Sequence, residues 1–270
     1  ENKDLTFTPK IYSDNEGLFQ SEYRQENKKT SFITDLSIKK DSERSKSHFF
    51  SNTIAKLDLL YFDNSELEVN LETTSNDNYL KSHKIKSAIT NNNSLLNSFL
   101  LLKGSREDFY LEGKIEAYED LTKENESDKY QYLLPSFEIS KSFNNNLSLV
   151  SNGYQKNYDT NIFEKVLIND FKFTSTPNIS SKGFVKKLNL LFKNVTTDSK
   201  NSNEFTNTFR SQNFGSLLYD ISFPMKKEGN NYDSFLSGKA SFMYSPNKNK
   251  NIKNLDRKIN IKNVFSQNRL

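Results

Sequence analysis

A chain of 270 residues with 34% apolar content and a mean hydropathy of -0.80 is too polar for one large sealed core, since soluble domains sit nearer about 45–50% apolar on a definition that also counts Gly. With 22 Phe and 13 Tyr it is also too aromatic for a disordered chain. Zero cysteines exclude disulfides, thiolate catalysis and most structural zinc sites, and 38 basic against 34 acidic residues, spread along the chain, lack the concentrated basic face that nucleic acid requires.

Taken in chain order, strand-like segments fall near 4–12 and 17–25. In the next, Phe32, Thr34, Leu36 and Ile38 oppose Ile33, Asp35, Ser37 and Lys39. A further strand near 46–56 opens with His48, which reads as a wall or strand-end residue. Over 66–72 Leu67, Val69 and Leu71 alternate with Glu66, Glu68, Asn70 and Glu72. Residues 77–85, with Tyr79 and Leu80, suggest a short helical or irregular excursion at one rim. After 95–103 comes the clearest segment, 108–119, where Phe109, Leu111, Gly113, Ile115 and Ala117 share one side and Tyr110, Glu112, Lys114, Glu116 and Tyr118 the other. Candidates at 130–142, 147–157, 162–174, 187–192, 205–211, 217–223 and 232–245 complete the series. A period of two places successive side chains on opposite faces of a pleat. Segments this long match the roughly 9–11 residues of a tilted bilayer-crossing strand better than the 5–6 of a soluble sandwich.

Polar interruptions at 75–78, 91–94, 123–128, 144–146, 196–203 and 246–254 read as loops. The expected fold is therefore all-β, an antiparallel up-and-down meander of roughly a dozen or slightly more strands joined by hairpins. It would form part of a large transmembrane β-barrel, with apolar residues toward lipid and polar residues toward a wet or plugged interior. The longest apolar run, Phe99-Leu100-Leu101-Leu102, is far too short for a membrane helix. The amino-terminal residues do not read as a signal peptide.

Catalytic motifs are sparse. With eight glycines the chain contains no Gly-x-Ser-x-Gly elbow, phosphate loop or Gly-x-Gly-x-x-Gly, and two histidines, His48 and His83, offer too few metal ligands. Glu66, Glu68 and Glu72 share a strand face at regular two-residue spacing, which fits lumen-lining charge better than paired catalytic carboxylates. Glu112, Lys114 and Glu116 are candidates for the same role. Pro9, Pro135, Pro177, Pro224 and Pro246 fall in or beside strands, where a missing donor implies weakened pairing or a strand end.

Several segments together resemble a known family. Asp-Leu-Thr-Phe-Thr-Pro-Lys-Ile-Tyr-Ser at 4–13, followed by Gly-Leu-Phe-Gln-Ser-Glu-Tyr-Arg at 17–24, is similar to the first barrel hairpins of the lipopolysaccharide-assembly proteins of the LptD family, the organic solvent tolerance proteins. Tyr-Gln-Tyr-Leu-Leu-Pro-Ser-Phe at 130–137 resembles their mid-barrel Leu-Pro strand. Tyr-Asp-Ile-Ser-Phe-Pro at 219–224 resembles a strand ending in Pro before a loop, and Phe265 to Arg269 a Phe-x-x-Asn-Arg motif. Ser237-Gly238-Lys239 departs from the family's Thr-Pro-Lys.

The resemblance implies that residues 1–270 are roughly the first half of such a barrel, without the periplasmic jelly-roll domain or the later strands, and that they form a curled open sheet. It implies a cell outer membrane location and a translocation role rather than an enzyme or a cofactor protein. Lipopolysaccharide would arrive from a periplasmic Lpt bridge and leave sideways into the outer leaflet between the first and last strands, around an LptE-like plug lipoprotein. Pro9 matches a proline of an early gate strand. Outer-membrane lipid would be the remaining partner, with no nucleic acid. Alternatives are another outer-membrane barrel, of porin or receptor type, or a secreted β-rich adhesin. Tyrosines near strand ends, including Tyr12, Tyr23, Tyr118, Tyr130, Tyr132, Tyr154 and Tyr244, favour membrane girdles over the adhesin.

Overall fold

A computed structural model of the chain describes residues 2–12, 16–40, 45–90, 92–229 and 232–246. The motif at 263–270 and the lysine-rich stretch at 248–253 lie outside the described residues. Strands β1 (Lys3–Ile11), β2 (Gly17–Glu26), β3 (Thr30–Lys39), β4 (Lys46–Leu57) and β5 (Asn64–Thr74) are followed by a single helical turn, α1 (Tyr79–Ser82). Then come β6 (Leu95–Arg106), β7 (Phe109–Asp120), the turn α2 (Glu126–Lys129), β8 (Tyr130–Ser142), β9 (Leu147–Tyr158) and β10 (Ile162–Thr174). The two-residue β11 (Asn178–Ile179), β12 (Val185–Lys200), β13 (Arg210–Lys227) and β14 (Ser234–Tyr244) complete the order. All belong to one 14-stranded sheet in which neighbours in sequence are neighbours in space; β11 alone lies off the path, paired to β12. This is an all-β up-and-down meander, and among the described residues it is not closed.

The chain forms two compact units, residues 1–138 with 154–164, and 139–153 with 165–270. In the first, alternation decides which side chains meet. On one face lie Leu5, Phe7, Ile11, Phe19, Ile38, Phe49, Leu71, Leu100 and Ile115, all large, apolar and exposed. On the other, Gln20, Asp35, Ser37, His48, Asn70, Glu72 and Glu116 are buried. The usual inside and outside of a water-soluble sheet are exchanged. Ile115 is 43% exposed and its neighbour Glu116 only 7%.

The polar face also carries an apolar cluster, where the segment after β5 folds back over it. Tyr79, Leu80 and Ile85 pack on Leu18, Phe50, Leu96 and Leu121. Helix α1 ends because Lys84 turns into the left-handed region, with φ 49°. Ile85 N then donates to Leu80 O (3.0 Å) and Lys84 N to Lys81 O (3.2 Å). These are the two bonds of a Schellman turn, and its customary apolar contact is the packing of Leu80 and Ile85 in the same cluster. The expected excursion at 77–85 is therefore helical for one turn, and it folds over the polar face among residues at the same ends of the strands, Leu18 of β2, Leu96 of β6 and Leu121 just past β7.

In the second unit, Leu188, Leu190 and Leu191 of β12 pair with Tyr219, Leu217 and Ser216 of β13. Leu190 and Phe192 are exposed, whereas Leu191, Lys193, Val195 and Thr197 are buried. Two expectations fail here. The polar stretch 196–203, read as a loop, continues β12 to Lys200, because Val195, Thr196 and Thr197 are β-branched and keep the alternation. The strand expected at 205–211 is mostly a connection: β13 starts at Arg210, and Phe205 is buried at 4% exposure within the turn.

Phe50 is fully buried at the centre of the apolar cluster. Phe50→Ala is expected to lower unfolding stability by about 3–5 kcal/mol, read from denaturant titration of the folded chain.

Candidate functional site

The polar face is built from cross-strand rows that the register fixes. Lys56 of β4 faces Glu66 of β5, which faces Lys103 of β6, which faces Glu112 of β7. The row alternates in sign across four strands, each opposed pair contributing about 0.2–1 kcal/mol. The next row is Ile54, Glu68, Leu101 and Lys114, and the one after it Asn52, Asn70, Phe99 and Glu116. All six charged residues picked from the sequence, Glu66, Glu68, Glu72, Glu112, Lys114 and Glu116, thus occupy one face of neighbouring strands.

Their partners are local. Asn52 Nδ2 donates to Glu68 (2.9 Å), and Asn70 Nδ2 to Glu72 (3.0 Å). The backbone N–H of Asn97 reaches the other Glu72 oxygen at 3.0 Å. Tyr110 donates to Glu112 at 2.6 Å, and Tyr118 to Glu116 at 3.0 Å. Lys114 is ion-paired to Glu116 and lies 4.5 Å from the Phe99 ring centroid. Glu68, Glu72, Glu112 and Glu116 are thus each held by hydrogen bonds to neighbouring groups. Tyr118 and Tyr12, expected in outward girdles, turn their hydroxyls to Glu116 and His83 on the polar side. Tyr130, Tyr132 and Tyr244 are exposed, the first two stacked at 6.2 Å.

A second constellation was missed by sequence reasoning. Ser37 Oγ lies 2.6 Å from His48 Nδ1 and 2.8 Å from the Tyr79 hydroxyl. His48 Nε2 is 3.4 Å from Asp35 Oδ1, an electrostatic contact too poorly aligned for a full hydrogen bond. Gln20 Nε2 donates to both Asp35 oxygens, at 3.0 and 3.1 Å, and to the carbonyl of Lys86 at 2.9 Å. The signal that could have found it is the 39-to-46 hairpin, whose register pairs Ser37 with His48 and Asp35 with Phe50. A serine, a histidine and an aspartate are close together, but Asp35 and Ser37 are wholly buried and His48 is 2% exposed.

Pro9 sits on the apolar side of β1, opposite Phe19. Tyr12 N donates to Glu16 O (3.0 Å) and Glu26 N to Asn2 O (2.8 Å). Those bonds make the even-numbered residues of β1 the hydrogen-bonded partners of β2. The nitrogens of odd-numbered residues, Pro9 included, therefore point to the free edge. Pairing runs unbroken from Lys3 to Ile11, so Pro9 neither ends the strand nor weakens its pairing with β2. It removes a donor from the side of β1 that has no neighbour among the described residues. Pro224 also leaves its pairing intact, opposite Ser237, beyond the last β12 partner at Ser222.

At the connections, burial disfavours the Lys129 ammonium, yet its bonds to Asp77 (2.7 Å) and Glu119 (3.0 Å) prevail and raise its pKa above the ordinary lysine range. His83 is pushed the other way, first by burial and then by the charges of Lys39, Lys46 and Lys10, only partly offset by Glu16. In the second unit an apolar groove of about 410 Å³ opens around Gly215, lined by Phe171, Phe173, Leu190, Phe192, Leu217 and Tyr244. Among the described residues no group of three or more His, Asp or Glu side chains is placed to hold a metal ion. No helix among them is long and apolar enough to cross a membrane.

No protein-family model matches the chain, and a search of curated proteins also finds no match.

Because the folded pKa of His83 is depressed, folding favours its neutral form. That contribution is fully present above the unfolded pKa of about 6.5 and is lost as pH falls toward the folded value. Unfolding measured from pH 7.5 down to 5 should show stability falling below about 6.5, with a shallower slope in His83→Gln. Parallel slopes would exclude His83 as a source.

Proposed function

We propose that this chain is part of the wall of an outer-membrane β-barrel of the LptD type, which passes lipopolysaccharide into the outer leaflet. The observation that carries the membrane reading is the exchange of faces. Strands of 9 to 18 residues, the short β11 apart, expose Leu, Ile and Phe while burying Asp, Glu, Lys and His. Water would penalise that arrangement on both sides, whereas a bilayer on one side and a wet or plugged interior on the other rewards it. The same exchange fits any outer-membrane barrel of porin or receptor type.

What favours lateral release is Pro9. In lipid an unpaired backbone group costs several kcal/mol, so a seam that opens reversibly must be poor in ladder bonds. A proline whose nitrogen faces away from β2 supplies that poverty without disturbing β2. On this reading β1 is one lip of the seam, the charged rows line a lumen filled by an LptE-like plug lipoprotein, and lipopolysaccharide arrives from a periplasmic Lpt bridge.

Two measurements test the parts separately. Ile115→Arg, at an exposed position in β7, should cost about 2–4 kcal/mol in lipid vesicles but stay within about 0.5 kcal/mol if the face meets water. An Arg tolerated in vesicles would remove the membrane reading. Pro9→Ala in the complete barrel restores one donor, a bond of about 1 kcal/mol, or roughly a fivefold bias toward the shut seam. Surface labelling of lipopolysaccharide should show slower delivery, and unchanged delivery would rule out Pro9 as the weak point.

A further inference from the structure

Among the described residues strand β1 has one strand neighbour, β2, and it is exposed along its length except at Lys10. Lys10 is half-buried because its ammonium crosses the polar face and donates to the carbonyls of His83 (2.8 Å) and Lys84 (3.1 Å). Those carbonyls end α1, where a cation is favoured. Tyr12, just past β1, adds a hydroxyl contact to His83 Nδ1 at 3.1 Å and an edge-on ring contact at 5.7 Å.

The same short segment is fastened to the three strands that follow. Gln20 of β2 donates to Lys86 O (2.9 Å), Ser37 of β3 meets the Tyr79 hydroxyl (2.8 Å), and the His48 ring of β4 lies 6.3 Å from the Tyr79 ring. Beneath these bonds Tyr79, Leu80 and Ile85 are at most 2% exposed. We propose that residues 79–86 are a latch that holds strand β1 to the polar face through Lys10 and Tyr12.

The attachments are unequal in kind. Toward β2, β3 and β4 they are buried, a hydrogen bond with Ser37 and apolar packing on Leu18 and Phe50, so separating them would bare apolar surface. Toward β1 they are the Lys10 and Tyr12 polar contacts, only part-buried or exposed, with the Tyr12 ring at the margin of the cluster, so solvent can replace the bonds. The segment therefore stays with β2–β4 when β1 moves, and the number of bonds to β1 sets how often its edge opens. Local opening of this kind draws on the least stable elements of a fold. The functional meaning of the latch rests on the proposal that β1 is one lip of a seam; its existence does not.

Hydrogen exchange on the folded chain in lipid tests it. Lys10→Met keeps the aliphatic stem and removes the ammonium. The amides of Thr6, Thr8 and residue 10, which bond to β2, should exchange about tenfold faster, the effect of losing one or two charge-assisted hydrogen bonds, while those of β4 and β5 keep their rates. Tyr12→Phe should give a smaller acceleration in the same amides, and serves alone if Lys10→Met does not fold. Unchanged β1 exchange in the folded variants overturns the latch. Lipopolysaccharide delivery by the Lys10→Met barrel separates the two readings. Faster β1 exchange with unaltered delivery keeps the latch and removes the seam.

Discussion

The fold depends on the parity of the pleat. A strand's side chains alternate between two environments, and every neighbour in register must agree on which is which. Slip β5 by one residue and Leu67 would stand between Lys56 and Lys103, with Glu68 thrust between Ala55 and Leu102. The opposed pairs of the Lys56–Glu66–Lys103–Glu112 row contribute about 0.2–1 kcal/mol each, so the row reinforces the register that one-sided apolarity already sets. The outward residues are a loose mixture of Phe, Leu, Ile and Val, while this inward row is matched in sign pair by pair.

Parity is local, which is why so much of it was legible. The phases at 66–72, 108–119, 187–192 and 217–223 are recovered in the structure, and Leu188 and Leu190 meet Tyr219 and Leu217 across β12 and β13. Where composition was allowed to overrule alternation, the reading failed: Thr196 and Thr197 looked like loop residues although they continue the pattern into a strand. The docking of α1 was not legible, because it depends on pairs such as Ser37 with Tyr79 and Lys10 with His83, separated by 42 and 73 residues. Nor was the orientation of Pro9. A proline at an odd or an even position of β1 has opposite consequences for β2, and which is which follows from the bond between Tyr12 and Glu16 at the turn.

An edge strand presents unpaired donors and acceptors that invite any other strand. Proteins that must keep such an edge usable cannot simply cover it. In β1 two residues in succession address the problem from different sides: Pro9 subtracts a donor from the free edge, and Lys10 ties the strand back through the polar face. The first lowers the affinity of the edge for a partner strand; the second limits how far the strand wanders without one. Neither the Pro9 ring nor the Lys10 ammonium takes a bond from the β1–β2 ladder, so the two effects can be tuned without loosening the sheet.

The meeting of Ser37, His48 and Asp35 shows why residue types alone do not make a catalytic site. A nucleophilic serine needs a base that takes its proton and open space in front of its oxygen. Here Ser37 Oγ lies 2.6 Å from His48 Nδ1, and Asp35 lies 3.4 Å from the other ring nitrogen. The Ser37 oxygen, however, also bonds the Tyr79 hydroxyl, whose ring is packed among Leu18, Phe50 and Leu80, and Asp35 and Ser37 are wholly buried. With the serine shared between His48 and Tyr79, this network fixes the position of α1, and through α1 the two carbonyls that hold Lys10.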